Sequence, residues 1–153
     1  MYVSEHAKER YVQRIMNIKE NKKMKQYIAK NNDHIERSLL KMFEYATFIW
    51  KGRLGSTINR SFWIRDDMVL VTDTYERCIV TVYNLDYGYK KEANRKLARE
   101  YLDKVFEYRE LLGEDPDNED HQKQLHYYST RLITCREYQQ ENIDFLEKIK
   151  VSS

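Results

Sequence analysis

Three short runs in the middle of the chain are rich in β-branched and aromatic residues, and they read SFWIR, MVLVT and RCIVTVYNL. Such runs are typical of β-strands. The segments between them, Asp66-Asp67 and Asp73–Glu76, have the composition of hairpin turns. We therefore expect a three-stranded antiparallel sheet over about residues 61–85. A sheet of this size is not stable alone, so other elements have to cover it.

The segments before this sheet have helical periodicity and are its natural cover. Ser4 is a suitable N-cap for a first helix, in which apolar residues recur at four-residue spacing from Ala7 to Ile15. A second helical pattern extends from about residue 22 to residue 50, with an interruption predicted at 31–33. Two N-terminal helical segments packed on a small antiparallel sheet define an α+β fold.

From about residue 90 onward the pattern is helical again. Apolar side chains form one stripe from Leu97 to Leu112 and another from Leu125 to Ile149, and the segment GEDPDNED separates them. We predict a long antiparallel helical hairpin over 90–153, distinct from an α+β domain over 1–89. These stripes are longer than a small sheet domain can cover, so we also expect a homodimer that forms through the C-terminal helices.

Charge is distributed unevenly along the chain. Residues 1–65 hold 14 Lys and Arg against 6 Asp and Glu, a net charge of +8, and residues 66–153 hold 13 against 19, a net charge of −6. A basic half of this kind is suited to contact with a polyanion. The alternative is that the basic and acidic halves face one another within the molecule. The sequence alone leaves both interpretations open.

His6, Arg10 and Arg14 lie four residues apart and therefore form one row on the predicted first helix. A histidine can move a proton near neutral pH, and forked guanidinium groups bind phosphate. Together they are sufficient for RNA cleavage without a metal, with His6 as base or acid and the arginines as phosphate clamps. The simpler alternative is a solvated face, in which Glu5 and Glu9 pair with the basic residues.

Further candidate residues lie in or beside the predicted strands. Arg65 and Thr81 are candidate binding residues, and Tyr83 is a candidate proton donor or base-stacking residue. Cys78 and Cys135 lack the C-x-x-C spacing of a zinc site, so we expect no metal and a reducing, cytoplasmic location. Uncharged runs are far shorter than the ~18 residues of a membrane span, so we expect no membrane partner.

The segments HAKERYVQR and WIRDDMVLVTDTYERCIVTVY resemble the H-A-x-x-R-x-x-x-R … V-x-T-V-Y pattern of small bacterial, phage and plasmid proteins related to BrnT-type toxins. The resemblance covers about residues 4–85. It implies a fold similar to that of RelE and colicin-type ribonucleases, and it singles out His6, Ala7, Arg10, Arg14, Thr81 and Tyr83. The long helix over 22–50 is larger than the usual insert of that family, and the helices after residue 90 have no counterpart in it.

Two functional hypotheses follow from these features. The first is a phage-like mobile-element protein whose toxin-like domain binds RNA and cleaves it without a metal. The second is a non-catalytic phage inhibitor whose helical hairpin binds a host protein or an anti-phage defence protein. Neither hypothesis calls for a cofactor, because the sequence contains no glycine-rich phosphate loop and no nucleophile elbow.

Overall fold

The computed structural model describes residues 1–55 and 58–139. This part of the chain divides into two compact units, 1–84 and 85–139. The first unit is α+β and contains, in chain order, β1 (Tyr2–Val3), α1 (Glu5–Arg14), α2 (Asn21–Glu44), β2 (Thr47–Gly52), β3 (Arg60–Arg65), β4 (Met68–Asp73) and β5 (Cys78–Asn84). The second unit is helical and contains α3 (Lys91–Glu114), α4 (Glu119–Ile133) and the short α5 (Arg136–Gln139).

The sheet has five strands in the order β1-β5-β4-β3-β2, and the prediction of a three-stranded antiparallel sheet is wrong. The hairpins β2–β3, β3–β4 and β4–β5 are antiparallel, whereas β1 pairs with β5 in parallel. This parallel contact is short, with the backbone N–H of Tyr2 donating to the Arg77 carbonyl at 2.9 Å and that of Ser4 to the Ile79 carbonyl at 3.0 Å. The sheet is therefore mixed.

The additional edge strand β2 is formed largely by residues that the sequence pattern predicted to belong to the second helix. Ala46, Ile49 and Trp50 keep helical spacing, but α2 ends at Glu44. Tyr45 leaves helical geometry with φ −102° and ψ 8°, and the following run TFIWKG has the β-branched and aromatic composition of a strand. Short apolar runs of this kind fit either type of element until the tertiary pairing is known.

The core of the first unit lies between one face of the sheet and the two helices. Buried side chains of α1 and α2 pack there against side chains of β4 and β5, and the cluster includes Ala7, Tyr11, Val12, Met24, Ile28, Ile35, Leu39, Met68, Leu70, Ile79 and Val82. The register pairs Leu70 with Val82 and Val69 with Tyr83. Because successive residues of a strand point to opposite faces, Val69 and Tyr83 lie on the face away from α1 and α2.

The second unit does not contain the long helical hairpin that the sequence predicts. The helix α4 ends at Ile133 instead of continuing towards residue 149. Its C-cap, Thr134, has the non-helical angles φ −89° and ψ 67°. The next segment is tied back to the start of the unit, where the Arg136 backbone N–H donates to the Asp86 carbonyl at 2.8 Å. The predicted helical positions from residue 140 onward lie outside the described residues.

Tyrosines line the seam between α3 and α4. Tyr108 stacks on Tyr128 with ring centroids 5.9 Å apart and planes at 12°, and Tyr101 lies 6.4 Å from Tyr128. At the other end of the seam, the Tyr87 hydroxyl donates to the Leu132 carbonyl at 2.7 Å. Aromatic contacts of this geometry stabilise helix packing, so packing of this unit accounts for these four of the chain's tyrosines.

Candidate nucleic-acid interface

The helix α1 is fixed to the sheet at its N-terminus by Ser4. The Ser4 hydroxyl accepts the Ala7 backbone N–H at 3.0 Å, as expected of an N-cap. The same hydroxyl donates to the Val80 carbonyl of β5 at 2.9 Å. This double contact confirms the predicted cap and determines which side of α1 faces the sheet.

The row of His6, Arg10 and Arg14 lies on α1 but takes part in holding the fold together. Arg14 Nη1 donates to the Val82 carbonyl of β5 at 2.7 Å, and Arg10 Nη1 donates to Gln13 Oε1 at 2.7 Å. His6 is only 7% exposed. A substrate therefore has little access to the imidazole, and the Arg14 guanidinium already binds a backbone oxygen.

The remaining candidates from the sequence are not brought together with this row. Tyr83 and Thr81 are fully buried, and they lie on the sheet face away from α1. Arg65 is exposed at the end of β3, where its guanidinium lies 5.7 Å from the Tyr45 ring centroid and 3.8 Å from an Asp66 carboxylate oxygen. A catalytic group that combines His6 with Tyr83 would have to act through the sheet.

Lys8, a residue that the sequence did not single out, is the buried charge between α1 and α2. Its side chain is 5% exposed. Its Nζ contacts Glu36 Oε1 at 2.8 Å, Glu5 Oε1 at 3.0 Å and Asn32 Oδ1 at 2.7 Å. Burial disfavours the charged ammonium, but the hydrogen bonds to Glu36 and Glu5 outweigh it, so the pKa of Lys8 is raised. Lys8 thereby neutralises Glu36, one of the three acidic residues of α2.

The outer surface of α2 is the most basic face that the helices of the first unit present. The buried residues Met24, Ile28, Ile35 and Leu39 mark its inner side. Opposite them lie five exposed cationic residues, which we call the α2 basic face: Lys22, Lys23, Lys30, Arg37 and Lys41. Only two carboxylates of α2, Asp33 and Glu44, share this face, and Glu20 just before the helix pairs with Lys23 at 3.4 Å. At 1.5 Å per residue the face is roughly 28 Å long.

A kink divides the α2 basic face. Asn31 has the non-helical angles φ −122° and ψ 23°, and its side-chain Nδ2 donates to the Tyr27 carbonyl at 3.0 Å. The bend opens a notch of about 360 Å³ that is lined by residues 29–34 and Arg37. We call this concavity the kink notch. It lies in the middle of the basic face, between the lysines at the two ends of α2.

Within the described ranges, no group of three or more His, Cys, Asp or Glu side chains is placed to hold a metal ion. In the same ranges, no helix has both the length and the apolar character required to cross a membrane. Among the candidate binding features of the first unit, the positive charge on the exposed side of α2 is the strongest. The sequence indicated a basic half, but it did not show which side of which helix carries the charge, because that depends on the buried face of α2 and on the pairing of Glu36 with Lys8.

Comparison with known proteins adds no family to this description. No family model matches the chain, and no curated protein or solved structure is significantly similar to it.

Proposed function

We propose that this protein binds RNA through the α2 basic face. The observation that carries the proposal is the separation of charge on α2. Five exposed cationic residues share a face with two carboxylates, while Glu36 is neutralised by Lys8 at 2.8 Å. A row of exposed cations attracts phosphates by releasing their counterions, and it does so without requiring a particular base sequence.

RNA is favoured over other polyanions by the resemblance to RNA-cleaving toxins over residues 4–85. We include a phage-like mobile-element origin in the proposal on the same ground. Neither Cys78 nor Cys135 forms a disulfide within the described part of the chain, which is typical of a reducing compartment. We include a cytoplasmic location in the proposal.

Binding is proposed ahead of cleavage. A general base has to reach the proton that it abstracts, and His6 is only 7% exposed. The second proposed proton donor, Tyr83, is fully buried on the opposite sheet face. Cleavage that survives excess chelator and disappears in His6→Gln would support the ribonuclease hypothesis in place of simple binding.

The test is a pair of double variants with equal charge changes. Lys22→Gln combined with Lys41→Gln removes two charges from the α2 basic face, and Lys91→Gln combined with Lys96→Gln removes two exposed charges from α3. Fluorescence anisotropy with a labelled single-stranded RNA should show about tenfold weaker binding for the first variant. The second should stay within about twofold of the unmodified protein. Equal losses would mean that net charge, and not the α2 face, determines binding.

A further inference from the structure

The kink notch is a concavity in a surface that would otherwise be convex. A continuous helix exposes a cylindrical surface, and kinks require a local cause such as an inserted side chain or a break in the hydrogen-bond ladder. Here Asn31 departs from helical geometry, and its own amide occupies the Tyr27 carbonyl at 3.0 Å. The result is a cavity of about 360 Å³ on the solvent side of α2.

The notch is lined mainly by hydrogen-bond donors. Lys30, His34 and Arg37 contribute nitrogen donors, and Asp33 is the only carboxylate in the lining. Arg37 Nε donates to the Asp33 carbonyl at 3.3 Å, a contact that holds the guanidinium beside the cavity. Lysine and arginine side chains that converge on a concave site are suited to a phosphate group, which accepts several charge-assisted hydrogen bonds at once.

We infer that the kink notch receives the phosphate of one unstacked nucleotide, and that the α2 basic face therefore prefers single-stranded RNA to duplex RNA. This inference rests on the proposed RNA-binding function. Phosphates of an A-form duplex are fixed on a regular cylinder, whereas a single strand can splay its nucleotides out of the stack. A flexible strand can adjust its backbone to place one phosphate inside the cavity while its neighbours contact the lysines on either side, which a rigid duplex does less readily.

The first test compares two lysines of the same face. Lys30 lines the notch and Lys41 lies outside it, and both are exposed. With a labelled oligouridine, Lys30→Gln should weaken binding about tenfold or more, because a charge-assisted hydrogen bond is lost. Lys41→Gln should weaken it about two- to threefold, as expected for a surface charge. With a labelled RNA duplex the two variants should lose affinity equally.

The second test fills the notch without changing the charge. Ala29→Leu adds an apolar side chain to the lining, and Gln26→Leu adds the same side chain one turn earlier on the same face. Ala29→Leu should remove the preference for oligouridine over the duplex, whereas Gln26→Leu should keep it. Both positions are exposed, so circular dichroism should show an unchanged fold.

The outcomes separate this inference from the function on which it rests. If the unmodified protein binds neither RNA, the proposed function is wrong and the notch site is lost with it. If it binds oligouridine but Lys30→Gln and Lys41→Gln have equal effects, RNA binding stands and the notch site is overturned. Retained single-strand preference in Ala29→Leu would overturn the notch site as well.

Discussion

Replacing Lys8 by Met tests the account of how α1 and α2 are held together. The methionine keeps most of the buried aliphatic volume but removes the ammonium that contacts Glu36, Glu5 and Asn32 at 2.7 to 3.0 Å. A buried pair that loses one partner costs about 3–5 kcal/mol, whereas an exposed pair contributes about 0–1 kcal/mol. The Glu36 side chain is 38% exposed and can turn to water. We therefore expect the free energy of unfolding to fall by about 1.5–3 kcal/mol.

The pH dependence of this loss follows from the direction of the pKa shift. The pKa of Lys8 is raised above the ordinary value of 10.5 in the folded protein. A raised lysine pKa means that its stabilisation is fully present below the unfolded value and is lost as pH rises through the folded value. The difference in stability between the two proteins should accordingly stay constant from about pH 7 to pH 9 and shrink only above about pH 10.5.

Urea denaturation followed by tryptophan fluorescence provides the measurement. Lys23→Met is the matched control, because Lys23 pairs with Glu20 at 3.4 Å and both side chains are well exposed. The control should change the free energy of unfolding by less than about 0.5 kcal/mol. A loss below that size for Lys8→Met, or a loss that disappears below pH 9, would refute the role assigned to Lys8.

Three further predictions concern the turn, the α1 row and the oligomeric state. Asp73→Ala should lower the free energy of unfolding by about 3 kcal/mol. The reason is that the carboxylate of this residue, which is 5% exposed, accepts three backbone N–H groups, those of Tyr75, Arg77 and Cys78. A loss under about 1 kcal/mol in a denaturant titration would contradict this role of Asp73. His6→Gln should leave the affinity for RNA within about threefold by anisotropy, since the phosphate attraction comes from lysine and arginine. The aromatic side chains Phe106 of α3 and Tyr127 of α4 are 45% and 47% exposed, and we expect the C-terminal helices to contact a second copy of the chain there; light scattering that gives the monomer mass at the highest usable concentration would contradict this.

The sequence predicted those features that depend on local chemistry. Ser4 caps α1 because a serine hydroxyl can satisfy an orphan N–H of the first turn. The runs SFWIR, MVLVT and RCIVTVYNL coincide with β3, β4 and β5 to within one residue at each end, and acidic residues lie in the turns between them. Asp66, for example, adopts φ 52°, which aspartate tolerates better than most residues.

The features that the sequence did not predict depend on partners far away in the chain. The strand β1 has two residues, which is too short for any periodicity, and it exists because β5 offers an open edge. Lys8 could not be recognised as buried, since its partner Glu36 is on another helix. The burial of Tyr83 depends on which sheet face carries the helices, and β5 contains an irregularity in register opposite Val71 and Thr72. These three features are set by tertiary contacts, which the local sequence pattern does not reveal.

The salt dependence of RNA binding tests the central claim most directly. Each contact between a phosphate of a single strand and a cationic side chain contributes about −0.7 to the slope of log affinity against log salt concentration. Three to five contacts on the α2 basic face predict a slope of about −2 to −3.5 for the unmodified protein. Lys22→Gln combined with Lys41→Gln should flatten the slope by about 1.4. A slope near zero, or an unchanged slope in the double variant, would contradict RNA binding by this face.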